Sequence, residues 1–390
     1  MTRVNSLGGK TVLAVAHVAG MVDMVALPLW VGNLMQYYGL SPVQAGMTVT
    51  LFLFSVVIAS AVIAPRFDRL IHRPAVAAGF VVAAAAFFAA AQLQMDSGSF
   101  SRLVVVHLIA GLGVGTALSV THGNIGRADN PHRLFGMVNV ALGVFGILFF
   151  ATLPQLVTVY GAQSMFLVFS GAMALAAIIT GLFFPKVEKP AVIETAARPA
   201  APMPKAVWFL IATVICLTFN QAMVFSFMER IGAARGFEPG DINIILVALG
   251  VINLLPGGIA AVLQRRLSPI VVGVTGCSLQ ALLALILSNS DAFLPYAFAA
   301  SIYVSTVIFT HTFLFGLLAR LDGSGRAASA TPAMAMIGSA TGPAVGGAIV
   351  AGFGYGGLGV AAVLVSAMAV GLLAALRLRL TRDTVAVPAE

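Results

Sequence analysis

Arg127-Ala-Asp129-Asn-Pro-His-Arg133 recurs 193 residues later as Arg320-Leu-Asp322-Gly-Ser-Gly-Arg326, with the spacing of its charges unchanged. A second stretch, Tyr38-Gly39-Leu40-Ser41-Pro42, returns 197 residues on as Arg235-Gly236-Phe237-Glu238-Pro239. Two separate echoes at nearly one offset indicate a duplicated unit of about 195 residues. Each half can therefore be read against the other.

Composition says where the halves live. Of the 390 residues, 60% are hydrophobic and 9% charged, and the mean hydropathy is +1.02. A soluble domain keeps roughly a quarter of its residues charged to wet its surface, so this chain gives most of its surface to lipid. The net charge of +8 raises nucleic acid as a partner, but such binding needs a concentrated basic face. Here the basic residues stand singly or in pairs between apolar runs, and no nucleic-acid partner is expected. Cys216 and Cys277 both lie in apolar runs and read as buried free thiols, not as a disulfide. The short polar start, Met1 to Lys10, leads into an apolar stretch without a small-residue cleavage pattern, which reads as a first membrane helix.

Crossing a hydrocarbon core takes about 20 apolar residues. Twelve stretches qualify, near 10–36, 42–65, 74–94, 102–122, 132–158, 163–184, 206–231, 240–263, 269–288, 293–319, 327–352 and 357–378. Twelve spans put both ends on one side. Arg102, Arg230 and Arg235 then fall on the opposite side, and the remaining 18 of the 21 basic residues fall with the termini. The positive-inside rule makes that side cytoplasmic. The segment 185–205, rich in Pro and Ala, reads as a cytoplasmic linker between an N-terminal half at 1–184 and a C-terminal half at 206–378, with a tail at 379–390. Six helices per half give both copies the same orientation, related by an axis along the membrane normal.

The fold expected is thus an all-α membrane protein of two six-helix halves. It resembles the major facilitator superfamily of secondary transporters over nearly the whole chain. That family usually carries a G-x-x-x-D-R-x-G-R-R loop after span 2. Here the loop reads Ala64-Pro-Arg66-Phe-Asp68-Arg69-Leu-Ile71-His72-Arg73, which keeps the Asp-Arg pair and lacks both glycines. The resemblance implies that Asp68 and Arg69 help close a cytoplasmic gate. A second family pattern, G-x-x-x-G-P-x-x-G-G, is complete at Gly338-Ser-Ala-Thr-Gly342-Pro343-Ala-Val-Gly346-Gly347. It lies in span 11, whereas drug–proton antiporters of the family carry it in span 5. The repeated charges Arg127, Asp129, Arg133, Arg320, Asp322 and Arg326 have two readings. They cap and anchor span ends, or they form salt bridges that break as the halves alternate.

Asp23 marks where the halves differ, since an offset of 197 sets it opposite Asn220. It lies near mid-span, where a carboxylate costs at least about 2.5 kcal/mol unless it faces a cavity or takes up a proton. Leu27 and Trp30 continue its helix face at i+4 and i+7. In span 7, Asn220, Val224 and Phe227 group in the same way, with Gln221 beside them. Span 10 carries Tyr303, Thr306 and Thr310, flanked by His311. In the family, spans 1, 4, 7 and 10 line the central cavity, which makes Asp23, Trp30, Asn220, Gln221, Phe227, Tyr303, Thr306, Thr310 and His311 the candidate substrate residues. Each polar one serves equally well in hydrogen bonds between helices. Asp23 and His311, whose side chains can hold a proton at depth, are the candidate coupling residues.

The absence of mid-span Lys or Arg argues against a dianionic substrate, since cavities for such anions commonly place an Arg there. The expected function is proton-coupled transport of a small neutral, weakly acidic or cationic organic molecule by alternating access, leaning to export. A second reading is a copper importer of the same superfamily, with His17, Met21 and Met24 as ligands. An intramembrane enzyme or sensor finds no support, as H-E-x-x-H, G-x-S-x-G and paired intramembrane aspartates are missing. No cofactor is expected. The partners expected are the substrate, protons and membrane lipid, with the chain a monomer in a bacterial inner membrane and both termini cytoplasmic.

Overall fold

Four glycines adopt positive φ among the described residues, and they form two pairs at the repeat offsets. Gly39 (φ 60°) and Gly236 (φ 77°) are 197 residues apart, while Gly161 (φ 90°) and Gly354 (φ 69°) are 193 apart. A residue with a Cβ is strained in that region, so the duplicated turns are fixed by glycine. After the first pair, Pro42 and Pro239 open the next helices. Proline suits a first helical position because its missing N–H would be unpaired there anyway. The echo Gly-x-x-Pro is thus a turn-and-restart signal used twice.

The computed structural model describes residues 3–93, 99–185, 203–322 and 331–385. Arg326, linker residues 186–202 and tail residues 386–390 lie outside the described residues. The helices are α1 (Leu7–Gly20), α2 (Val22–Gln36), α3 (Pro42–Ile63, continued by a 3-10 turn over Ala64–Arg69), α4 (His72–Ala91), α5 (Ser99–Ile125), α6 (Pro131–Tyr160) and α7 (Gln163–Phe183). They continue as α8 (Lys205–Phe225), α9 (Met228–Ala234), α10 (Pro239–Ile252), α11 (Pro256–Leu263), α12 (Pro269–Asn289), α13 (Phe293–Leu321), α14 (Thr331–Phe353) and α15 (Gly356–Val385). Together they give 12 runs long and apolar enough to span a membrane. Spans 1, 7 and 8 are each built from two pieces, α1–α2, α8–α9 and α10–α11. In the loop before α6, Asn130 is the capping residue. Its side chain accepts from the Arg133 backbone N–H, and Pro131 follows at the first helical position.

The chain separates into two compact units, Met1–Leu40 with Met47–Pro199, and Ser41–Gly46 with Ala200–Glu390. Lipid tails are as apolar as leucine, so helices associate in a membrane through close packing rather than hydrophobic exclusion. In the first unit α4 and α5 meet at Gly79 and Gly113: a Cβ on Gly79 would sit 2.6 Å from the Gly113 carbonyl oxygen. In the second unit the span-11 glycine pattern lies against α8. A Cβ on Gly342 would stand 2.6 Å from the Met223 backbone nitrogen, and one on Gly338 would stand 2.5 Å from the Ile215 carbonyl oxygen. The pattern therefore joins two backbones and opens no passage of its own. Around that seam Leu210, Val214 and Leu217 of α8 pack with Cys277, Leu314 and Leu373. Both cysteines are free and buried.

A Gly342→Val variant should lose roughly 1–3 kcal/mol of stability through overpacking, read as a lower melting temperature in detergent. Gly371→Ala, whose Cβ would meet nothing within 4 Å, serves as the control and should melt as the parent does.

Candidate functional site

Span 1 breaks at Met21, which has φ −115° and ψ 19° and both closes α1 and opens α2. Asp23 is the second residue of α2. Its carboxylate faces the backbone N–H groups of Asp23 and Met24 at that helix start. Sixteen residues beyond Leu7, at 1.5 Å each, place it about 24 Å along a span of about 45 Å. Only 4% of it is exposed. A half-helix start is a sound place for a buried carboxylate, because unpaired N–H groups and the positive end of the helix dipole meet it there.

The same construction occurs in the second unit, where sequence reasoning missed it. Span 7 breaks at Ser226–Phe227, and Glu229 is the second residue of the piece that follows. Its Oε2 is buried with no hydrogen-bond partner among the described residues. Each unit thus carries one acid in the first turn after a break in its first span. The signal available was an acid next to Phe227 and Met228 and followed by Arg230-Ile231-Gly232. Counting Glu229 and Arg230 as the end of the span concealed it, since the break lets the helix run on to Ala234.

Asp23, Leu27 and Trp30 share a buried face of α2, and at Trp30 that face is filled by its own unit. Trp30 is fully buried, with its ring centroid 5.1 Å from Phe52, 5.9 Å from Phe87 and 5.0 Å from Phe169. The indole N–H donates to His107 Nε2 at 3.2 Å, and His107 Nδ1 in turn contacts the Leu103 carbonyl at 2.7 Å. Trp30 is therefore the hub of an aromatic core. His17 Nδ1 lies 3.0 Å from His122 Nε2, while Met21 forms the break and Met24 is half-buried.

In the second unit, Asn220 and Tyr303 are brought together. The Tyr303 hydroxyl donates to the Asn220 carbonyl at 2.9 Å, and Asn220 Nδ2 donates to the Ala362 carbonyl and Ser366 Oγ, each at 2.9 Å. Spans 7, 10 and 12 are thus tied at one level. Asn220 Oδ1 remains buried and unpartnered among the described residues. Gln221 and Phe227 are buried, and a Cβ on Gly346 would approach the Phe227 ring at 2.9 Å. Thr306 and Thr310 face another way. Thr310 packs on Gly276 of α12, and both threonines line a cavity between α10–α11, α12 and α13. His311 stacks near Phe315, at 5.0 Å between ring centroids, with Nδ1 unpartnered among the described residues.

At the basic loops, Arg127 pairs with Asp68 and its guanidinium lies 4.6 Å from the Phe67 ring centroid. Two motifs read separately in the sequence, the Asp-Arg loop and the first repeat, therefore meet inside the first unit. Asp68 is largely exposed, so the pair contributes at most about 1 kcal/mol. Asp129 holds Asn5 through its backbone N–H at 3.0 Å. Arg69 and Arg133 are exposed, as is Arg320 in the last turn of α13; Asp322, which follows that helix, is buried.

The family described as the Major Facilitator Superfamily matches residues 12–331 of the chain. No curated protein is significantly similar in sequence. Among solved structures, a bacterial homologue of the human lysosomal transporter Spinster, inward-facing and occupied, superposes with a TM-score of 0.73 at 12% identity, covering 97% of this chain and 98% of that one. The nucleoside transporter NupG, as a single-site mutant, gives 0.71 at 14% identity over 94% and 98%. A D-xylose–proton symporter gives 0.71 at 14% identity over 95% and 96%. At such identities the likeness is one of fold.

Trp30→Phe should remove the hydrogen bond to His107 and leave that nitrogen unpaired, at a cost of about 1–3 kcal/mol. Melting temperature should fall while substrate affinity holds. A large change in affinity with unchanged melting would instead put Trp30 in the substrate site.

Proposed function

The chain belongs to the Major Facilitator Superfamily, and on that premise we propose that it couples proton movement to the transport of a small neutral, weakly acidic or cationic organic molecule, with Asp23 carrying the proton. It is a membrane transporter rather than an enzyme. The observation that carries the finer reading is the buried carboxylate of Asp23 at a break near the middle of span 1. An acid at that depth is costly when charged, and such residues usually mark ion pathways or proton relays. A proton descending 100 mV releases about 2.3 kcal/mol, enough to concentrate a neutral substrate roughly fiftyfold. The proton symport named for one structural relative supports the same chemistry.

Glu229 repeats the arrangement and is the candidate for a second protonation site. Asn220, Gln221, Tyr303 and His311 remain the polar candidates for substrate contact on spans 7 and 10. Asp68, Arg69, Arg127, Asp129, Arg133, Arg320 and Asp322 are the proposed charges of the cytoplasmic gate. Export is the direction this reading takes, from the position of Asp23 alone.

Reconstitution into liposomes with an imposed pH gradient and a compound panel tests the proposal. Asp23→Asn should lower gradient-driven accumulation about tenfold or more, a difference of ~1.4 kcal/mol, while substrate exchange without a gradient persists. Full proton dependence in that variant would overturn the coupling role. Glu229→Gln separates one carrier from two: an unchanged proton-to-substrate ratio leaves Asp23 alone, and a halved ratio gives Glu229 a share. High-affinity transport of a dianion would contradict the substrate class.

A further inference from the structure

The cavity that takes in Thr306 and Thr310 is bounded by the broken span 8 and by α12 and α13, wholly within the second unit, with a volume of about 330 Å³. Its walls include Leu255 and Ile259, Val272 and Leu279, and Ile302 and Phe309. Leu255, Ile259 and Leu279 are exposed at its rim, so it opens outward. The size falls at the lower end of the roughly 300–1,000 Å³ usual for small-molecule sites. The polar groups on the walls are already engaged. Thr275 donates to the Val271 carbonyl at 2.9 Å, Thr306 to Ile302 at 3.1 Å and Thr310 to Thr306 at 2.7 Å. The Ser305 hydroxyl donates to Asn253 Oδ1 at 2.7 Å, just where span 8 breaks. What remains to face an occupant is hydrocarbon.

A charge feature lies beside it. Arg265 and Arg266 sit in the short turn that joins α11 to α12, two of the three walls, and both are exposed. Neither has an ion-pair partner among the described residues. They follow Ile259 by roughly two helical turns, which places them in the headgroup zone when the groove lies in hydrocarbon. An apolar groove with two exposed arginines at its interfacial end matches one chemistry. We propose that the groove holds an acyl chain of an anionic phospholipid, whose phosphate is bound by Arg265 and Arg266. Basic sites of this kind between membrane helices select anionic headgroups, and arginine suits phosphate through paired N–H donors. The lipid is a bound component of the second unit, independent of the transported substrate.

The test uses the full-length protein in detergent, offered equal amounts of phosphatidylglycerol and phosphatidylcholine with identical chains. Bound lipid is counted by native mass spectrometry. The parent should prefer phosphatidylglycerol about 25-fold, each arginine contributing roughly a factor of five. The R265Q/R266Q double variant should keep lipid but bind the two headgroups equally. Thr275→Trp and Leu279→Trp, both on exposed wall positions, should fill the groove and lose the adduct of either lipid. Retained preference in the double variant would overturn the proposal, and so would undiminished lipid in both tryptophan variants. Displacement of phosphatidylglycerol by millimolar inorganic phosphate would reassign the arginines to a free anion and also overturn it.

Discussion

Inside a bilayer a backbone N–H or C=O has no water to turn to, and leaving one unpaired costs several kcal/mol. That constraint explains most of what this chain does between Leu7 and Thr381. It makes every described span a helix, and it makes each departure from helix a site that needs local compensation. The loops meet the demand with glycine turns and proline restarts outside the spans. Within spans 1, 7 and 8 the chain departs from continuous helix at Met21, at Ser226–Phe227 and around Asn253. Asn253 accepts from Ser305, and the Asp23 carboxylate stands at the helix start that follows Met21. Irregular backbone is tolerated in hydrocarbon where protein or cavity covers it.

Tight helix contact follows from the same solvent. Because lipid competes equally for any apolar side chain, the units cohere where backbones come close, at Gly79 with Gly113 and along Gly338 and Gly342 on α8. Span 11 therefore serves span 7, and the carboxylate-bearing break in span 7 lies next to that seam. A rigid neighbour on one side of a broken helix confines any change of shape to the break itself. Glu229 stands at such a place.

Much of this was legible in the residues. Apolar run length gave the twelve spans, and Arg and Lys placement gave the side on which the termini are expected. The Gly-x-x-Pro echo is a turn-and-restart signal, since Gly39 and Gly236 share a positive φ ahead of Pro42 and Pro239. The break in span 7 was not legible. Ser226–Phe227 contains neither proline nor glycine. Glu229 was hidden with it. Periodicity correctly put Asp23, Leu27 and Trp30 on one face, yet a helical face does not announce what it meets. For Trp30 it is four aromatic rings of its own unit. Thr306 and Thr310 show the same limit, since their spacing fixed a stripe and α12 decided its neighbour.

The indole of Trp30 has one further consequence. The chain contains 2 tryptophans, one in each unit. Trp30 is sealed among aromatic rings and hydrogen-bonded to an imidazole, while Trp208, near the start of α8, is 59% exposed. The protein thus carries its own pair of optical reporters in contrasting surroundings. A quencher attached to lipid chains reaches Trp208 and not Trp30, so light emitted at the blue edge reports on the interior of the first unit. Protonation or displacement of His107 would dim that signal without any label being added.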